Sequence, residues 1–120
     1  MHLTNSDKEE ILSVIKKQLE ALQKDDAIAA FSCASEFIQA QFGSPATFMD
    51  MVKTAYPAVY RPRSVIFEDI ALINGAIAQP VLLLGQDDDL VMAYYLMLKQ
   101  SDLSWKINGC ILAPPKGIGS

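Results

Sequence analysis

SVIFEDIALI-NG-AIAQPVLLLG, residues 64–85, is the stretch that decides how this chain folds. Asn74-Gly75 is the strongest short hairpin signal, because both central residues of the tight turn need positive φ. The flanking segments, Ser64–Ile73 and Ala76–Gly85, follow a strand period and read as the two arms of a hairpin. Pro80 lies inside the second arm. Without an N–H it cannot complete a ladder, so a bulge or bend is expected there, and bends of that kind curl a sheet. Downstream, Asp87-Asp88-Asp89 reads as a solvated turn and Val91–Gln100 as a third strand. Ser101–Ser104 reads as a tight turn and Trp105–Ala113 as a fourth strand, ended by Pro114-Pro115. The tail, about residues 114–120, is expected to be loose.

Upstream of Ser64 the apolar period is that of a helix. Ser6 followed by Glu9 reads as a capping box, and Ile11, Leu12, Ile15, Leu19 and Leu22 form one stripe behind it. Asp25 or Asp26 caps a second helix whose buried side carries Ala27, Ala30, Phe31, Ala34, Phe37 and Ile38. Gly43 ends that helix, and Ser44-Pro45 opens a third with Phe48, Met51 and Val52 along its buried edge. Tyr56–Arg63 reads as the crossover loop. The expected fold is therefore a single α+β domain over residues 1–120. Three N-terminal helices pack on a curved antiparallel sheet of about four strands.

Composition narrows the function classes. The chain has 120 residues, 51% hydrophobic and 20% charged, with a net charge of −4. An acidic chain with scattered basic residues argues against nucleic acid as a partner. No apolar run approaches the roughly 18 residues of a membrane span. The polar N-terminus lacks the apolar core of a signal peptide, so a cytoplasmic location is expected. Cys33 and Cys110 are far apart and in no metal-ligand spacing, so free thiols are expected. The single histidine, His2, leaves no Ser-His-Asp or Cys-His site and few zinc or iron sites. No phosphate-binding glycine loop is present, and the three aspartates lack the spacing of a calcium loop. No metal and no cofactor are expected.

The last hairpin can be read pair by pair. A turn centred on Asp102-Leu103 sets Leu98 opposite Ile107, Leu96 opposite Gly109 and Tyr94 opposite Ile111. That face is apolar and is expected to cover the helices. The other face carries Lys99 and Lys106 at the turn end, then Met97 with Asn108, Tyr95 with Cys110 and Ala93 with Leu112. It is too apolar to stay wet. Ala93, Tyr95, Met97, Cys110 and Leu112 are therefore expected to form a homodimer face, with a second copy of the chain as the partner.

Several motifs carry a family resemblance over nearly the whole chain. They are the Asp25-Asp26-Ala27 helix start, the Phe42-Gly43-Ser44-Pro45 turn, Phe48-Met49-Asp50-Met51-Val52, Tyr56-Pro57-Ala58-Val59-Tyr60-Arg61-Pro62 and Trp105-Lys106-Ile107-Asn108-Gly109-Cys110. With them the chain resembles the nuclear transport factor two-like superfamily, the cystatin-like α+β cone, and within it a small bacterial family of uncharacterised function. The resemblance implies the cone fold and often a dimer. It implies no reaction, because such folds host enzymes and binding modules alike.

Candidate pocket residues follow from placing the polar side chains on that cone. Glu68 and Asp69 occupy adjacent strand positions, so one is expected toward the concave side or near its rim. Tyr94 is expected inward. Tyr56, Tyr60, Arg61 and Arg63 lie near the strand's entry, where Arg and Tyr suit an anion. The leading expectation is a non-catalytic homodimeric module that binds a small apolar or anionic ligand in its cone. The alternative is a small hydro-lyase or isomerase with Glu68 or Asp69 as base and Tyr94 as hydrogen-bond donor. The bland reading of the same residues is structural: Tyr56 and Tyr60 brace the crossover, and Arg61 pairs with a helix carboxylate.

Overall fold

The computed structural model describes residues 2–115. Five helices precede five strands: α1 (Asn5–Gln23), α2 (Ala27–Ser32), α3 (Glu36–Phe42), α4 (Pro45–Ala55), α5 (Pro57–Tyr60), β1 (Ser64–Phe67), β2 (Ala71–Ile73), β3 (Ala76–Leu84), β4 (Leu90–Lys99) and β5 (Trp105–Ala113). The sheet is antiparallel in the order β1-β3-β4-β5, with β2 also paired to β3. The α+β architecture is as the sequence predicts. Part of the expected loose tail, residues 116–120, lies outside the described residues.

The helical layer differs in three places, one of them the short helix α5 inside the expected crossover loop Tyr56–Arg63. α1 is capped two residues earlier than Ser6–Glu9. Thr4 accepts from the Asp7 amide (3.0 Å), and Asp7 accepts from the Thr4 amide (3.0 Å). Tertiary contacts select this box: Trp105 Nε1 (3.1 Å) and Lys99 Nζ (3.2 Å) also donate to Asp7. The Thr4 N–H first, then the Trp105 indole, hold the Asp7 carboxyl well below the usual carboxylate range.

The expected second helix is broken into α2 and α3. At the break, Ala34 bridges in parallel to Ile107 of β5. The Ile107 amide donates to the Cys33 carbonyl (2.9 Å), and the Ser35 amide donates to the Ile107 carbonyl (2.9 Å). Ser35 then caps α3 through the Ile38 amide (3.2 Å), and its buried hydroxyl donates to Asn108 Oδ1 (2.7 Å). Strand bonding from β5 replaces helix bonds that Cys33–Ser35 would otherwise make. α3 ends as expected at Gly43, with φ +80°.

The first arm of the deciding hairpin is also interrupted. Asn74 (φ 49°) and Gly75 (φ 82°) form the turn as predicted. Phe67 pairs with Val81 and Ala71 with Ala78, so four steps along the first arm face three along β3. The extra residue is a bulge opposite Pro80. The Glu68 amide donates to the Pro80 carbonyl (3.0 Å), but Pro80 has no N–H to return to the Glu68 carbonyl. The buried Gln79 side chain supplies that donor, with Nε2 2.6 Å from the Glu68 carbonyl.

The last hairpin turns the sheet over relative to expectation. Tyr95 pairs with Cys110 and Leu96 with Gly109, as read, but Met97 pairs with Ile107 rather than Asn108. One extra residue at Asn108 moves Ile107 to the face of Met97 and Tyr95. With that shift the Ala93, Tyr95 and Met97 side is the more apolar, and it packs on the helices. Ala93, Tyr95 and Met97 are buried, with Ile11, Ile15 and Leu22 of α1 in the same core. Cys110 and Leu112 pack against that core as well. None of the five residues expected at a dimer face is therefore on the outer surface. The outer face instead carries Ile66, Leu90, Leu98 and Ile111, each exposed, with Tyr94 and Leu96 half-buried between them.

Candidate functional site

Between α3, α4 and the strands β4 and β5 lies a cavity of about 320 Å³. Phe48, Val52, Tyr56, Tyr95, Cys110 and Gln18 are on its wall. Each is placed by an element already described. α4 offers Phe48 and Val52 at a four-residue spacing, so both face the sheet. Phe31 and Phe42 flank Phe48 at ring centroid distances of 5.6 and 5.8 Å, which fixes that end of the cavity. Gln18, buried on α1, donates Nε2 to the Ala30 carbonyl (3.1 Å) and ties α1 to α2.

The polar groups of the wall are neutral. The Tyr56 hydroxyl donates to the Cys110 carbonyl (3.1 Å). Burial pushes the Cys110 thiol up to about 12 and lifts the Tyr56 and Tyr95 hydroxyls above their usual range. Both cysteines are free, as expected, and Cys33 is likewise raised by burial. Neither thiol has the depressed pKa of a nucleophile. No Lys, Arg, His, Asp or Glu is among the residues lining the cavity. Among the described residues no group of three or more His, Cys, Asp and Glu side chains gathers as a metal site.

Of the expected pocket residues, only Tyr56 borders this cavity. Glu68, Asp69 and Tyr94 do converge, but on an open depression that they share with Pro80 and β2. Both carboxylates are exposed. The expectation that Tyr94 points inward is corrected: Tyr95 is the inward tyrosine, because inner and outer residues alternate along β4. An acid–base pair in a dry pocket is thus not formed by these three side chains.

Tyr60, Arg61 and Arg63 serve the crossover. Arg61 donates to Asp25 (2.9 Å) and to the Gln23 carbonyl (3.3 Å), and Tyr60 donates to the other oxygen of Asp25. Arg61 and Lys53 both lie against the Tyr60 ring, at 4.8 and 5.4 Å from its centroid. Asp25 itself takes a positive φ of 56° to turn the chain from α1 into α2. Arg63 pairs with Asp88 in the β3–β4 turn.

This cluster gives a stability prediction. The Tyr60 hydroxyl first, then Lys53 and Arg61, hold the Asp25 carboxyl below its ordinary 3.8. A lowered carboxylate stabilises the fold above its unfolded-state value and loses that contribution as pH falls through the folded-state value. Tyr60→Phe is therefore expected to lower the melting temperature at pH 7 by no more than about 4 °C, because the bond is exposed. The difference between variant and native protein should shrink as pH falls through the lowered folded-state value of Asp25. Melting curves at a series of pH values from 7 downward check this. A difference that does not shrink at all on acidification would show that the hydroxyl acts through something other than Asp25.

The signal that sequence reading missed is Asn108-Gly109 within β5. A glycine inside a strand pattern marks a bulge, and a bulge placed there assigns Tyr95 to the interior.

Fold and cavity together define a small α+β cone domain with an apolar interior. The chain belongs to the family described as Domain of unknown function (DUF4864), whose model matches residues 4–119. Among solved structures it is similar to ActVI-ORFA from Streptomyces coelicolor, with a TM-score of 0.56 and 13% sequence identity, over 97% of this chain and 100% of that one. At that identity the likeness is one of fold. No curated protein matches the chain. No helix among the described residues is long and apolar enough to cross a membrane.

Proposed function

We propose that this domain is a binding module of the nuclear transport factor two-like kind that takes one small, largely apolar molecule into its cone. The carrying observation is the cavity of about 320 Å³ whose wall is aliphatic and aromatic and holds no charged side chain. That volume is at the small end of ligand sites, which span roughly 300–1,000 Å³. An anionic ligand is disfavoured. Arg61 and Arg63 are engaged with Asp25 and Asp88 away from the cavity, so an anion inside would be a buried charge without a partner. The hydro-lyase or isomerase alternative has no carboxylate on the cavity wall to act as base. Self-association through the outer face of the sheet accompanies this reading, because four exposed apolar side chains share that face.

The test of the binding reading is a titration with tetralin, a neutral two-ring hydrocarbon, followed through the methyl NMR signals of the chain. Saturable shifts confined to cavity residues such as Met51 and Val52 are the expected result. No shift up to the solubility limit of tetralin would overturn the reading.

A further inference from the structure

Tyr95, one of the residues bordering the cavity, carries a buried hydroxyl that its surroundings leave unanswered. Tyr95 is 1% exposed, and its hydroxyl is the buried side-chain oxygen for which no hydrogen-bond partner exists among the described residues. Of the other polar side chains bordering the cavity, Gln41 is exposed to solvent, and Tyr56 and Gln18 are engaged as donors. Tyr56 donates to the Cys110 carbonyl at 3.1 Å, and Gln18 donates to the Ala30 carbonyl at 3.1 Å. Leaving a buried hydroxyl unpaired is unfavourable, and such a group in an apolar site points to a ligand that satisfies it. Tyr95 is also fixed in place. It sits at the centre of the sheet, paired with Gln79 on one side and Cys110 on the other.

We infer that the molecule taken into the cone is uncharged and carries a carbonyl-type oxygen on its apolar body, and that this oxygen accepts a hydrogen bond from the Tyr95 hydroxyl. The inference rests on the reading of the cone as a ligand site and adds the chemistry of the ligand. Three features select that chemistry. A phenol in an uncharged wall offers an O–H donor, which calls for an acceptor. The wall supplies no cation, so the acceptor is a neutral oxygen rather than a carboxylate or phosphate. The surrounding Phe48, Val52 and Cys110 call for an apolar body around that oxygen. Burial keeps Tyr95 protonated at neutral pH, so the donor is present under ordinary conditions.

The experiment compares two probes of nearly equal shape, 1-tetralone and tetralin, on the native protein and on Tyr95→Phe. The expected result is a crossed dependence. Tyr95→Phe weakens tetralone about tenfold, the scale of one hydrogen bond, and leaves tetralin unchanged. In the native protein the tetralone carbonyl stretch shifts to lower frequency on binding. That readout decides the matter even if the variant folds poorly. Equal effects of the substitution on both probes, or an unshifted carbonyl stretch in the native complex, would overturn the inference while leaving the cone as an apolar binding site. If neither probe binds the native protein, the ligand-site reading falls and this inference falls with it.

Discussion

Met97→Asp is expected to unfold the domain. Met97 is 5% exposed and sits on the inner face of β4, between Ile77 of β3 and Ile107 of β5. An aspartate there has no cation in reach among the core residues, which are apolar on every side. It must either bury an unpaired charge or take up a proton, and both are costly. Losing the methionine side chain alone costs about 2–5 kcal/mol. Adding the polar penalty brings the total to the scale of a small domain's whole stability, about 5–15 kcal/mol. Circular dichroism should show no cooperative melt for the variant at pH 7. A folded, soluble Met97→Asp protein would mean that the outer and inner faces of the sheet are the reverse of those described.

Charges on the other face should do something different. Ile66→Asp together with Ile111→Asp is expected to leave the domain folded and to separate a homodimer into monomers. Ile66 and Ile111 are 54% and 47% exposed, so each substituted carboxylate can stay hydrated in a single chain. The two positions lie on β1 and β5, the two sides of the sheet, with β3 and β4 between them. Leu90 and Leu98 extend the exposed apolar surface, and Tyr94 and Leu96 fill its middle. A two-fold pairing of this face covers the patch with one repeated surface. Two charges placed in such an interface should weaken association by at least about 100-fold, since each tenfold corresponds to 1.4 kcal/mol. Sedimentation equilibrium at micromolar concentration reads the result. A native chain that sediments as a monomer would end the proposal. A dimer that survives both substitutions would assign the contact to a different surface.

The amino-acid sequence by itself determined that helices come first and strands after, and where several of them begin or end. The Asn74-Gly75 turn, the Gly43 helix end, the Ser44-Pro45 helix start and the change of apolar period at Ser64 are local signals. They act through backbone dihedrals and side-chain caps within a few residues, so they can be read without knowing the fold. What the tertiary structure decided was every outcome that depends on a partner distant in sequence. Cys33–Ser35 leave the helix because β5 offers them strand bonds. Glu68 bulges opposite a proline, and Gln79 supplies the donor that Pro80 lacks. The single extra residue at Asn108 shifts Ile107 across the sheet. With that shift Ile107 joins Ala93, Tyr95 and Met97 on the buried side. Tyr95 rather than Tyr94 borders the cavity, and Glu68 and Asp69 lie on the surface. Both faces of the last hairpin are apolar enough to be buried, so their composition is nearly balanced. Which of them is buried depends on packing against the helices and on the long-range pairing of β4 with β5, neither of which is a local signal.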